Sequence, residues 1–266
     1  MIMDHVLFDV EKIPVDELIP GYDAMSGITH AIVKTDVDKI LSFRSEDYAL
    51  IRNAEIIDTF SKHFEAEGIK FNVSATNYRD VRFRITFDLA QHHKRVLAND
   101  DVVMSFYINN SYNGSWKYQF GVWVKRLICS NGLTIMLADS KMNMLHTPGA
   151  DEGIAVEKSI KLIEDFIPRF DDAMDPFYEL ADQTLENLPE VNARIDEVIE
   201  ETGFPVGMAE NARARAFEEV TNLKLEPSDW IVYNALNYVL NHEAETLMGR
   251  KADKIDREAL DYLIAY

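Results

Sequence analysis

The chain holds one cysteine among 266 residues, which excludes an internal disulfide and fits a reducing compartment. It has no run of about 18 apolar residues, so no membrane-spanning helix is expected. Its first residues, MIMDHVLFDVEK, lack a basic stretch followed by an apolar one, so no secretory signal is expected and the cytoplasm is the expected location. Catalytic motifs are missing too. There is no GxxxxGKS/T phosphate loop, no GxGxxG after a strand, and no GxSxG, HExxH or CxxC. His92 and His93 are neighbours, so in a strand they point to opposite faces and do not share a metal. The acidic pairs Glu164-Asp165, Asp171-Asp172 and Glu200-Glu201 lack the Gly or Asn of a calcium loop. No catalytic residue, metal or cofactor is therefore expected.

Positive charge is also scarce. The chain has 27 Lys and Arg against 46 Asp and Glu, a net charge of −19. The imbalance is uneven. Residues 1–50 carry four basic and ten acidic side chains, residues 51–150 twelve and nine, and residues 151–266 eleven and twenty-seven. An acidic whole argues against broad attraction to nucleic acid, because phosphate neutralisation dominates such binding. The mildly basic middle weakens that objection locally. The acidic last segment keeps a protein soluble and is able to imitate a polyanion.

What is present changes period near residue 150: alternation dominates before it and helical spacing after it. This predicts an α+β protein, with an antiparallel-sheet module over 1–150 and an acidic helical region over 151–266 packed on it as one continuous domain. NAEIIDTFSKHFEAE, residues 53–67, reads as a helix with Asn53 as N-cap, a stripe of Ile56, Ile57, Phe60 and Phe64, and Gly68 after its end. KFNVSATNY and DVRFRITFDLA read as a hairpin in which Val81, Phe83, Ile85, Phe87 and Leu89 alternate with Arg82, Arg84, Thr86 and Asp88. VVMSFYINN and WKYQFGVWVKRLI form a second hairpin, for which Asn113-Gly114 suits a type I′ turn. GLTIML follows Asn131-Gly132 as a fifth strand. Gly121 marks a bulge or a close backbone approach. Cys129, at an apolar strand end, reads as a small core residue.

In the helical region Pro168, Pro176, Pro189 and Pro205 break the chain, and Ser228-Asp229 opens its clearest helix. Ile231, Val232, Ala235, Leu236, Val239 and Leu240 form its apolar face. Trp230, Asn234, Asn237 and Asn241, with His242 nearby, either bond the sheet's loops inside the fold or line a site.

One constellation points to binding. With the apolar face of the first hairpin turned inward, Arg82 and Arg84 point outward. Lys117, Gln119, Trp123 and Lys125 share one face of the later strand, beside Arg126. Cations that track phosphates and rings that stack bases are what a single-strand platform needs. Arg82, Arg84, Lys117, Trp123, Lys125 and Arg126 are thus the candidate contacts for single-stranded DNA.

The segments SFRSEDYALIRNAEIIDTF, NSYNGS, VKRLICSNGL and WIVYNALNYVLNHE occur in the order and spacing of a phage- and plasmid-encoded family known as a domain of unknown function, number nine-three-two. The chain resembles that family over roughly residues 40 to 250. It departs from the family's pattern at Tyr112-Asn113, where members typically carry His-Asp, which removes a His-Asp pair from consideration as chemistry here. The resemblance implies a phage, prophage or plasmid origin. It leaves two non-catalytic readings: a single-strand annealing protein that assembles into homo-oligomers, or a phage accessory, structural or host-directed protein that binds a host or phage protein through its acidic helices.

Overall fold

The computed structural model describes residues 3–22, 27–127, 134–148, 152–242 and 250–265, with their side chains except at 134–141, 152, 241–242 and 250–253. The protein is α+β, with two antiparallel sheets and a mostly helical C-terminal half. The first sheet has the order β1 (Val10–Pro14), β2 (His30–Lys34), β3 (Lys39–Arg44), with a bulge between Ile32 and Val33. A single helical turn, α1 (Val15–Leu18), follows β1. The second sheet has the order β4 (Phe71–Tyr78), β5 (Arg82–Leu97), β6 (Asp100–Ser111), β7 (Tyr118–Arg126), β8 (Thr134–Met144). Sequence reasoning assigns no element before Asn53, so the first sheet is its largest omission. It also ends β5 near Ala90, whereas the strand runs 16 residues to a further hairpin at Ala98-Asn99. Asn99 takes φ +65° there.

The described residues form two compact units. The first comprises Met1–His92, Met104–Trp123 and Leu137–Pro168; the second comprises His93–Val103, Val124–Met136 and Arg169–Tyr266.

In the first unit β4 and β5 pair from Phe71↔Leu89 to Tyr78↔Arg82, and alternation decides which side chains are covered. Phe83, Ile85, Phe87 and Leu89 are buried, while Arg82, Arg84 and Asp88 are half-buried. Helix α2 (Asn53–Ala66) lays Ile56, Phe60 and Phe64 on that apolar face. Phe60 meets Phe106 at 5.3 Å between ring centroids and Phe87 at 5.4 Å. Each ring removed from water stabilises the fold by roughly 1.5–3 kcal/mol. Gly68, at φ +69°, closes α2 as expected. Asn53 does not cap it. Arg52 holds the cap position, and Asn53 is a buried helical residue whose Oδ1 accepts from Asn110 Nδ2 at 2.9 Å. Helix α3 (Glu152–Phe166) begins where the period changes, and the Tyr118 hydroxyl meets its Ser159 Oγ at 3.1 Å. Burial raises the Tyr118 pKa, so the phenol remains a neutral partner.

The second unit contains helices α4 (Asp175–Asp182), α5 (Leu188–Thr202), α6 (Ala209–Phe217), α7 (Asp229–His242) and α8 (Arg250–Ala265). Pro189 lies in the first turn of α5 and Gly203 follows its end at φ +65°, the asymmetry expected of helix termini. Helix α7 packs against α4, α5, α6 and α8. It therefore buries more than one face: Trp230, Tyr233, Asn234 and Asn237 are all within 1% of full burial. Two of the amides bond within the helical layer. Asn234 Nδ2 donates to the Trp230 carbonyl, and Asn237 Nδ2 donates to Asp256 Oδ1 at 2.6 Å. The side chains of Asn241 and His242 lie outside the described set, as do Cys129 and the Asn131-Gly132 turn.

Candidate functional site

The polar face of the first unit's large sheet carries a hydrogen-bonded line across four strands. Arg84 Nε donates to Asn109 Oδ1 at 2.9 Å, Asn109 Nδ2 to Gln119 Oε1 at 2.7 Å, and Gln119 Nε2 to Asn143 Oδ1 at 3.0 Å. The parity assigned to β7 holds across Gly121, because Gln119 meets Asn109 while Trp123 meets Tyr107 at 4.7 Å between ring centroids. Gly121 marks a close approach, as its position in the strand predicts. A Cβ there would lie 2.6 Å from the Tyr107 ring, so only glycine lets that ring lie across the strand.

Above these rings sits the Arg84 guanidinium, 5.5 Å from the Tyr107 centroid and 5.7 Å from that of Trp123. The rings are covered, with Tyr107 at 1% exposure and Trp123 at 8%. This corrects the role expected of Trp123. It does not offer an open stacking surface; with Tyr107 it backs a half-buried arginine.

At the neighbouring turn the arrangement repeats with more exposure. The Arg82 guanidinium lies 5.4 Å from the Trp116 ring, and Trp116 meets Tyr78 edge-on at 5.3 Å. Tyr78 is 39% exposed, Trp116 half-buried and Lys117 exposed. The turn itself spans Tyr112–Lys117 and is not type I′. Gly114 alone takes positive φ, at +63°, and Asn113 Oδ1 instead accepts from the Ser115 backbone N–H at 3.1 Å.

The other two predicted contacts fall in the second unit. Lys125 is half-buried and engaged within the fold. Arg126 is 1% exposed, and strand parity groups it with Val122 and Val124 instead of Lys125. Its Nε lies 2.7 Å from Asp100 Oδ1 and its Nη1 lies 2.8 Å from Glu219 Oε2. Trp230 Nε1 donates to the same Asp100 carboxylate at 2.8 Å, and Arg215 Nε donates to Glu219 Oε1 at 2.9 Å. Burial alone would lower the Arg126 pKa, but the Glu219 charge and the Asp100 contacts more than reverse it. Arg126 is a structural cation and not a surface contact.

The four motif segments meet in pairs. In the first unit Tyr48 Oη donates to the Ser111 carbonyl at 2.7 Å, Ser42 Oγ donates to the Tyr112 carbonyl at 2.6 Å, and Tyr112 Oη accepts from the Asn53 backbone N–H at 3.1 Å. Burial pushes the Tyr48 pKa up to about 12, keeping that phenol protonated. In the second unit Arg126 and Trp230 share Asp100. Much of the motif pattern is therefore structural. Among the described residues no group of three or more His, Cys, Asp or Glu side chains is placed to hold a metal ion, and no helix is long and apolar enough to cross a membrane.

Sequence reasoning misses Tyr78, Trp116 and Tyr107 as members of this surface. Trp116 and Lys117 adjoin the Asn-Gly turn, and Tyr78 opposes Arg82 in register, so pairing the hairpin residue by residue finds the first two. The family model whose description reads Domain of unknown function (DUF932) matches residues 40–260, more than four-fifths of the chain. No curated protein and no solved structure matches.

Proposed function

The chain belongs to the DUF932 family, a domain of unknown function, and on that premise we propose that it is a non-catalytic nucleic-acid-metabolism protein that binds single strands, of the kind that anneal DNA in recombination. The observation that supports this reading is the set of arginines without acidic partners. Arg82 and Arg84 have no carboxylate partner among the described residues, in a protein of net charge −19. Each has its guanidinium over one or two aromatic rings, within 5.7 Å of the ring centroids. A guanidinium plane stacks on a base as well as pairing with a phosphate. Tyr78, Trp116 and Lys117 extend the same surface with two rings and a further cation. The contacts are thus Arg82, Arg84 and Lys117 of the six candidates, with Trp123 as backing. The reading implies a phage or plasmid gene, a bacterial cytoplasm, homo-oligomers and no cofactor.

The test is a titration with a short 5′-hydroxyl single-stranded oligonucleotide, run alongside a mass measurement in solution. Binding should appear at about 50 mM salt and weaken steeply as salt rises. Arg82→Gln with Arg84→Gln should reduce it about tenfold or more while the protein still unfolds in one cooperative transition. No binding at the lower salt concentration sinks the proposal.

A second reading rests on the eleven basic and twenty-seven acidic side chains of residues 151–266. Under it, a basic host or phage protein docks on the helices, and replacing several helix carboxylates by amides abolishes its capture.

A further inference from the structure

We infer that the turn at Gly114 and the side chain of Arg44 form a binding site for a phosphate-class anion, with His146 as its proton-linked partner. Arg44 lies against the turn: a Cβ at Gly114 would be 3.7 Å from the guanidinium carbon and 3.5 Å from the Tyr48 ring. The guanidinium carbon is 5.6 Å from the Tyr48 centroid. The His146 ring stacks on the same tyrosine, 5.0 Å away and 15° from parallel. All four residues belong to the first unit.

Two features point to a ligand. Arg44 has no carboxylate partner among the described residues, and its Nε is buried without a hydrogen-bond acceptor. A guanidinium shielded at Nε still offers its two terminal nitrogens, a fork that matches two phosphate oxygens. His146 is fixed beside it. Its Nδ1 lies 2.9 Å from the Ala49 carbonyl and so carries the hydrogen, while Nε2 is buried on the side of the Trp116 carbonyl without a well-formed hydrogen bond to it.

Burial lowers the His146 pKa and the Arg44 charge lowers it further, against the pull of the Ala49 and Trp116 carbonyls. Arg44 and Tyr48 are the charged and titratable groups that face it. The imidazole is therefore neutral near pH 7. An anion on Arg44 cancels the repulsion and raises the His146 pKa, so anion binding takes up a proton. Affinity should rise as pH falls through the imidazole range. A strand end and free phosphate present the same chemistry; only the strand-end source depends on the single-strand reading above.

The experiment follows the His146 ring resonances of the whole chain during titration with inorganic sulfate, which stays a dianion across about pH 5 to 8, and then with inorganic phosphate. Saturation with sulfate should raise the His146 pKa, and sulfate should bind more tightly at the acidic end. Arg44→Gln should weaken binding about tenfold or more, Arg44→Lys should retain part of it, and His146→Gln should remove its pH dependence. A 5′-phosphorylated oligonucleotide that outbinds its 5′-hydroxyl twin, with the advantage lost in Arg44→Gln, identifies a strand end. Equal binding of the twins alongside a sulfate response identifies free phosphate. The inference is overturned if saturating sulfate leaves the His146 pKa where it was, a measurement on the unaltered protein that does not depend on any variant folding. It is also overturned if a folded Arg44→Gln binds sulfate as well as the parent. Failure of the 5′-hydroxyl strand to bind sinks the single-strand proposal and leaves this one standing.

Discussion

Arginines lie on aromatic rings in both units, but three in the first do so without a carboxylate partner among the described residues. In the second, Arg126, Arg194, Arg213 and Arg215 each touch at least one carboxylate, and Arg126 touches two from within the core. In the first, Arg52 pairs with Glu55, but Arg44, Arg82 and Arg84 lie on aromatic rings with no acidic partner among the described residues. The second unit is the richer in acid, so pairing there is what abundance would produce. The first unit also contains acidic residues, and Lys39 pairs with Asp80 and Lys62 with Asp58. Arg44, Arg82 and Arg84 are therefore unpaired by placement. Rings orient a guanidinium without neutralising it, and an oriented, un-neutralised cation remains available to an anion.

The strongest way to break the comparison is Arg126→Met. It leaves the Asp100 and Glu219 carboxylates buried without their shared cation and should destabilise the protein by about 3–5 kcal/mol, read from urea unfolding. Asn110→Ala tests the first unit's neutral network. Asn110 donates to the Ile51 carbonyl and to Asn53, and its loss should cost about 1–3 kcal/mol by the same measurement. If the two variants cost the same, the contrast between a charged and an amide interior has no energetic meaning. The smallest effect is expected at Arg84→Gln alone. Half-buried, without a carboxylate and holding one hydrogen bond to Asn109, Arg84 should change stability by about 0.5–1.5 kcal/mol while strand binding falls. A large loss of stability there would make Arg84 a structural residue like Arg126.

The legible part of the fold was local. Val81 to Leu89 alternate over nine residues, and Ile56, Phe60 and Phe64 recur at helical spacing, so each element declares its buried face within its own stretch. The first sheet did not declare itself, because its strands are five or six residues long and HAIVK is apolar without alternating. Candidate contacts divided along the same line. Arg82, Arg84 and Lys117 lie on the face or turn where parity puts them. Arg126 does not lie where the sequence suggests because its carboxylates come from 26 and 93 residues away, beyond any window of periodicity. Asn53 resembled a cap because its partner Asn110 lies 57 residues on. Trp123 was placed on the right face, but its cover comes from Tyr107 on another strand.

Glu219 reaches Arg126 from an irregular stretch. After α6 the chain widens into a π-helical turn over Glu218–Asn222, where the Leu223 N–H reaches back to the Glu218 carbonyl at 3.1 Å. A π turn is an α-helix holding one residue too many. Deleting a single residue there would restore α spacing and swing the residues beyond the turn by about 100° relative to α6. Trp230, which donates to the same Asp100 as Arg126, lies beyond the turn, so a change of length there can pull this buried cluster apart with every charged side chain still in place, and that makes the register of this turn as much a part of the protein's interior as the charges themselves.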